Sequence, residues 1–397
     1  MSVQEQLTRL QSAKASLAAA ISGKGVTVPE TAKLDAYGGL VDQISTSGGG
    51  SGVRTCRLVI GTSAAGWTQS DCDVLCTGQG DDDAINNAIQ QVGSMGGGEI
   101  VLLPGTYIAS TPIMVQSPNI SLRGNGSSTV IQRGYSGTNA FLDVLGDNSA
   151  ISHIVFDSNR SSYPISRMST DIKLQGSNCS IRYCSVINTG CTSLLSTGNY
   201  NVIAYNSFGG NTGIIVSGDS TKIIANDCID CGEYGIMAAD NAIVYGNNCS
   251  QSFTGLYLNG NNVLTYGNQC VDCSTGIEIG DLNNSIISHN VCNKATSAGI
   301  RAESGVSIMM ANNQCIDFGD FGIMIAGGMR MTVQNNTCFR DAGYTDSQMT
   351  IGLLGGMQHV VESNCILGKD VTNMGGGNSV IRDNIYDFGG HTGGGIS

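Results

Sequence analysis

An asparagine recurs through the second half of this chain: Asn206, Asn226, Asn247, Asn268, Asn290, Asn313, Asn336, Asn364 and Asn384. The steps are 20 to 23 residues, with one of 28. Six of these residues are followed two positions later by a cysteine: Cys228, Cys249, Cys270, Cys292, Cys315 and Cys338. A second motif, glycine–apolar–x, runs in the same phase. It reads Gly213-Ile214-Ile215, Gly235-Ile236-Met237, Gly255-Leu256-Tyr257, Gly276-Ile277-Glu278, Gly299-Ile300-Arg301, Gly322-Ile323-Met324 and Gly352-Leu353-Leu354. Each period holds short runs of alternating apolar residues between turn residues, too short for helices, and shows no leucine consensus. The solution is a parallel β-helix in which one period is one coil and equivalent residues stack into ladders. The asparagines then sit at a coil corner, bonding to the rungs above and below and tolerating left-handed turns. The cysteines point inward as small buried apolar groups.

Composition agrees. Fifty-six of 397 residues are glycine, only 13 % are charged and 41 % are apolar. That is apolar enough to bury a core and excludes charge-driven disorder. A net charge of −12 excludes a basic nucleic-acid-binding face, and no apolar run reaches the length of a membrane helix. The start of the chain lacks the basic and apolar regions of a secretory signal, so synthesis in a cytoplasm is expected. There, fifteen cysteines read as buried thiols.

The chain divides into five parts. Residues 1–44 form a small α-helical module, with Val3, Leu7, Leu10, Ala13, Leu17 and Ile21 on one helical face. Residues 45–54 are a Gly/Ser linker. Residues 55–95 form an N-terminal cap, in which Asp81-Asp82-Asp83 opens a helix that covers the end of the core. Residues 96–388 are the β-helix, about 13 coils and on the order of 60 Å long. Residues 389–397 are a Gly-rich tail.

Gly80-Asp81-Asp82-Asp83-Ala84-Ile85-Asn86-Asn87-Ala88-Ile89 and Gly97-Gly98-Glu99-Ile100-Val101-Leu102-Leu103-Pro104-Gly105-Thr106-Tyr107 resemble the capping helix and first coil of the pectate-lyase-like, right-handed β-helix superfamily. Val59 to Asp73 looks like the lead-in of β-helical phage tail proteins. Residues 13–44, with Ala20 to Pro29 and Leu34-Asp35-Ala36-Tyr37, are similar to an N-terminal module of phage tail and tail-fibre proteins. The resemblance implies an all-β, single-stranded parallel β-helix in a homotrimeric tail fibre or tailspike. Such a protein resides in the virion, grips a tail or baseplate protein through residues 1–44 and recognises a host surface polysaccharide.

Function on a β-helix belongs to outward side chains. The residue after glycine–apolar forms the outward ladder Ile215, Met237, Tyr257, Glu278, Arg301, Met324, Leu354, with Glu303 two residues beyond Arg301. Tyr257, Glu278, Arg301 and Glu303 are the expected ligand-binding residues: tyrosine stacks on a sugar, and Glu278 and Glu303, with Arg301, are the candidates for catalysis. Ile215, Met237 and Met324, with Leu7, Leu10 and Leu17, are the expected subunit contacts. Asp227, Asp230 and Glu233 near a turn, and the separate Arg330 and Arg340, form no clear calcium-lyase constellation. His153, His289, His359 and His391 form no metal motif. Asp157 reads as a structural turn residue. Cys228-Ile229-Asp230-Cys231 and Cys270-Val271-Asp272-Cys273 lie two coils, roughly 9–10 Å, apart, too far for one zinc. No cofactor and no metal is expected. A polysaccharide depolymerase and a purely structural tail component remain the competing functions.

Overall fold

A computed structural model describes residues 56–387 apart from Asn139, 342–346 and Gly368, together with nine residues between Lys14 and Lys33. Two compact units are present, Met1–Val53 and Arg54–Ser397. In the first, Lys14, Ala15, Ala18, Ile21 and Ser22 are helical. Leu7, Leu10 and Leu17, the linker and the Gly-rich tail lie outside the described residues.

The second unit is a parallel β-helix with three walls. Sheet I has fifteen strands, from Val74–Cys76 and Cys56–Thr62 through Gly98–Leu102 to Val380–Arg382. Sheet II is two six-stranded runs, Gly105–Ala109 to Asp227–Cys228 and Gln269–Val271 to Ile385–Asp387. Asn248 bridges them, pairing with Asp227 and Gln269. Sheet III has twelve strands, Ile113–Val115 to Thr372–Asn373. The chain visits I, II and III in turn, and every strand pair is parallel. Among the described residues there are about twelve full turns, followed by a thirteenth pass through sheets I and II.

Corners are made by residues in the left-handed region. Between sheets I and II this is the residue immediately before each ladder asparagine: Tyr205, Ala225, Gly246, Gly267, His289, Asn312, Asn335, Ser363 and Asp383. The ladder asparagines do not take the left-handed conformation expected of them. They supply hydrogen bonds. Each interior Asn Oδ1 accepts the backbone N–H and the side-chain amide of the preceding rung; for Asn268 these come from Asn247, both at 2.9 Å. Its own Nδ2 reaches Asn290 Oδ1 and the Val244 carbonyl, also at 2.9 Å. The same pattern links all nine rungs, from Asn206 to Asn384. A buried amide is thereby satisfied in each coil from Asn206 to Asn364.

The core is stacked aliphatics and thiols. Ile214, Ile236, Leu256, Ile277, Ile300, Ile323 and Ile351 on sheet III are fully buried, as are the six ladder cysteines. All fifteen cysteines are free. Burial pushes the Cys184 and Cys231 thiols up to about 12.

The helix Asp81–Ser94 closes the N-terminal end. Its aspartates act differently from the expected cap: the N-cap is Gly80, with no side-chain capping bond. Asp81 instead accepts N–H groups of Gly78 (2.9 Å) and Ile108 (2.9 Å). Asp82 accepts that of Ser110 (2.7 Å) and Asn86 that of Met114 (2.9 Å). Ile108 and Met114 lie on the first strands of sheets II and III, so the helix side chains satisfy amides that an open sheet edge leaves unpaired. No helix among the described residues is long and apolar enough to cross a membrane.

Candidate functional site

The glycine and cysteine motifs explain each other and set the direction of every outward residue. A Cβ on Gly276 would lie 2.5 Å from the Gly299 carbonyl oxygen and 2.7 Å from Cys292 Sγ. Gly213, Gly235, Gly255 and Gly299 are equally crowded, each against the backbone and the cysteine of the next coil. Glycine lets the strand sit against the thiol column, and the next residue but one is turned to the surface of sheet III.

On that surface the register runs Met114, Asp143, Lys173, Leu195, Ile215, Met237, Tyr257, Glu278, Arg301, Met324, Gly352, Thr372. Leu354 is not on it. Ile323 pairs with Ile351 and Met324 with Gly352. The last Gly-apolar match is two residues out of phase because the preceding coil is longer.

Tyr257, Glu278 and Arg301 occupy consecutive coils, ~4.8 Å apart, with Glu303 beside Arg301. Tyr257 is flanked by Tyr234, ring centroids 5.2 Å apart and planes inclined 55°. Its hydroxyl lies over Gly280, where a Cβ would come within 2.6 Å. Burial, with Glu233, Glu278 and Tyr257 close by, pushes the Tyr234 hydroxyl above its ordinary range, keeping it a donor. Thr254 Oγ1 donates to Glu278 Oε2 at 3.2 Å. Arg301 Nε is ion-paired with Glu303 Oε1. All four are half-buried. The strands carrying Tyr257 and Glu278, Thr254–Asn261 and Thr275–Asn283, are the longest in the β-helix, so the site stands on its most extensively paired part.

Ile215 and Met237 lie on one side of this cluster and Met324, with Phe321, on the other. The expected apolar contact face is therefore two patches with the polar cluster between them.

Two residues escaped sequence reasoning. Asp281 is exposed at a bulge, where the pairing slips between Leu258–Ile279 and Gly260–Leu282. Bulges re-aim side chains beside sites. Its signal was the lengthening of the repeat from 21 residues (Asn247 to Asn268) to 22 (Asn268 to Asn290). Phe253, 62 % exposed at the corner before Thr254, sits outside both repeat motifs and left no signal.

The other candidates have structural partners. Asp157 accepts from Gln132, Asn188 and the Asn159 backbone at 2.8–2.9 Å. Glu233 accepts from Asn211 at 3.1 Å. Arg340 donates to the Gly319 carbonyl at 2.9 Å. His359 is buried, its Nδ1 accepting from the Met331 amide and its Nε2 facing the Gly355 carbonyl; burial pushes its pKa down. No group of three or more His, Cys, Asp or Glu side chains is arranged to hold a metal among the described residues.

The family described as "Rhamnogalacturonase A/epimerase, pectate lyase-like" matches residues 70–278, and "Right handed beta helix region" matches residues 212–350. The expected handedness follows from the second match. No protein of curated function matches the sequence. Among solved structures, the A-module of mannuronan C-5 epimerase AlgE6 of Azotobacter vinelandii superposes with a TM-score of 0.61 at 15 % identity. The match covers 78 % of this chain and 97 % of the module. The PL6 family alginate lyase AlyGC gives 0.60 at 14 % identity, over 83 % of this chain and 51 % of the lyase. The Dettilon tailspike protein gives 0.53 at 15 % identity, over 75 % of this chain and 64 % of the tailspike. This chain thus spans about half the lyase and just under two thirds of the tailspike. At these identities the likeness is one of fold.

Proposed function

The chain belongs to the rhamnogalacturonase A/epimerase, pectate-lyase-like family, and from that premise we propose that it is a tail fibre or tailspike that recognises a host surface polysaccharide on sheet III. The observation that carries the glycan site is the convergence of Tyr257, Glu278, Arg301 and Glu303 on three consecutive coils. Tyr257 offers an apolar ring face beside the tilted ring of Tyr234. The carboxylates and guanidinium supply hydrogen bonds of fixed direction, the pairing of apolar surface with a few placed polar groups that ligand sites use. Support for the tail role is the modular break at the Gly/Ser linker, the helical residues before it and a fold shared with a tailspike. In this reading residues 1–44 grip a tail or baseplate protein. Three copies assemble through Ile215, Met237 and Met324, and the protein is carried on the virion.

Polysaccharide cleavage on the same face is the second reading. Glu278 and Glu303 lie on adjacent coils, two residues out of register, ~8 Å apart between Cα atoms, a spacing compatible with a carboxylate pair. The family description points the same way. Against it, both carboxylates are already engaged, Glu278 by Thr254 and Glu303 by Arg301. Incubating the protein with host capsule or wall glycan separates the two. We expect retention on the glycan without release of reducing ends or unsaturated uronates. Release that Glu278→Gln or Glu303→Gln abolishes makes the protein a depolymerase. Neither retention nor release leaves only the structural tail role.

A further inference from the structure

The corner between sheets I and II carries a column of exposed rings that the fold does not require. His153, Tyr183 and Tyr205 occupy the left-handed corner position in successive coils, with φ of 58°, 55° and 59°. Bulky side chains are rare there. Apart from His289, later coils fill the same position with alanine, glycine, asparagine, serine and aspartate, so the turn itself has no need of aromatics. Strained residues of this kind persist where something else selects them. The rings stack along the rod: His153 on Tyr183 at 4.9 Å and Tyr183 on Tyr205 at 5.1 Å, the latter pair 6° from parallel. Tyr183 and Tyr205 are half exposed.

The column breaks at Ala225. Beyond it, Tyr245 stacks on Tyr266 at 4.4 Å and leans over Gly267, where a Cβ would lie 3.3 Å from its ring. Tyr205 therefore keeps one open face above Ala225, and a rung of the aromatic ladder is missing. Two coil steps, ~9.6 Å, admit one flat ring at the spacing that the native rings keep among themselves.

The rim of the slot is cationic. Lys222 opens the strand Lys222–Ile224 that leads into Ala225; Arg182 directly precedes Tyr183, two coils before the slot, and Arg123 is in the same register column two coils earlier still. All three are exposed. None pairs with a carboxylate among the described residues, on a chain of net charge −12. Of the acids in the same coil, Asp227 lies past the buried Asn226 on sheet II and faces the Asn248 amide, and Asp219, before Lys222, accepts from the Ser220 hydroxyl and the Asn241 amide.

We propose that this corner is a second saccharide site, separate from sheet III, that takes an anionic sugar. One ring of the sugar fills the missing rung against Tyr205, and its carboxylate is met by Lys222 with Arg182 beyond. Stacking supplies affinity for the ring, and cations without partners select the charge. The site does not rest on the sheet III reading.

The test uses the full chain carrying Tyr257→Ala and Arg301→Ala, which silences sheet III. Trimers of galacturonate, mannuronate and glucuronate, with neutral maltotriose as control, are titrated calorimetrically at low and high salt. We expect at least one uronate trimer to bind and maltotriose not to, with binding weakened by salt. Adding Ala225→Tyr, which completes the ladder, should lower the affinity at least tenfold while leaving the melting temperature equal or higher; Lys222→Glu should lower it similarly. Binding of no uronate trimer in this background, or binding that Ala225→Tyr leaves unchanged, overturns the proposal.

Discussion

Asn268 shows what a single residue contributes to this fold. Replacing it with alanine strands the Asn247 backbone N–H and side-chain amide, both buried. Each buried polar group left unpaired costs about 1–3 kcal/mol. Asn268→Ala should therefore destabilise by ~2–5 kcal/mol in a denaturant titration, and the half-buried terminal Asn384→Ala by much less. Gly276→Ala drives a Cβ into the next coil's carbonyl and Cys292 and should cost about 1–3 kcal/mol through overpacking. Equal, near-zero costs for Asn268→Ala and Gly276→Ala would contradict the ladder account. These positions were legible in the sequence because each coil repeats the same hydrogen-bond and packing problem with the same residue. The left-handed corner residues were not legible: that position takes any of seven residue types between sheets I and II, as Tyr205, Ala225, Gly246, His289, Asn312, Ser363 and Asp383 illustrate. A requirement met by so many side chains leaves no sequence pattern.

At the scale of the element, the capping helix and the buried His359 each carry an expectation. Asp82 holds the Ser110 amide and the Thr111 hydroxyl and is 2 % exposed. Asp82→Ala should loosen the first coil by about 1–3 kcal/mol and raise amide exchange at Ser110 ahead of the coils beyond residue 200. Uniform exchange along the rod would show that the helix does not protect that end. His359 is neutral because burial lowers its pKa from the ordinary 6.5. The unfolded chain then binds the extra proton first, so its contribution is complete above pH ~6.5 and is lost as pH falls through and below that value. The melting temperature should drop between pH 7.5 and 5.5, and His359→Asn should shrink the drop; an identical drop in both proteins would remove His359 as its cause. The helix was readable from its aspartates and apolar spacing. Its mode of attachment was not, because the bonds from Asp81, Asp82 and Asn86 reach 26 to 28 residues along the chain. The outward ladder was readable up to Met324 and lost at Leu354, where a longer coil shifted the phase.

The unit from Arg54 onward is a β-helix with one polar cluster set between two apolar patches on sheet III. As a trimer the protein's mass by light scattering should be three times the 41.1 kDa chain. Met237→Glu should reduce that mass; a monomeric wild type would release Ile215, Met237 and Met324 from a contact role. Low charge suits such a rod, since like charges stacked in a ladder repel, and on sheet III Arg301 is ion-paired with Glu303. The repeat made the rod visible in the sequence, whereas the site depended on Tyr234 arriving beside Tyr257, which only the wound chain brings about. The most direct test is binding of wild type and Tyr257→Ala to an array of bacterial surface polysaccharides. The account predicts that wild type is retained on a defined glycan and that Tyr257→Ala loses at least tenfold in affinity for it while melting at the same temperature. Equal retention of the two proteins, or no retention of wild type on any glycan, would contradict it.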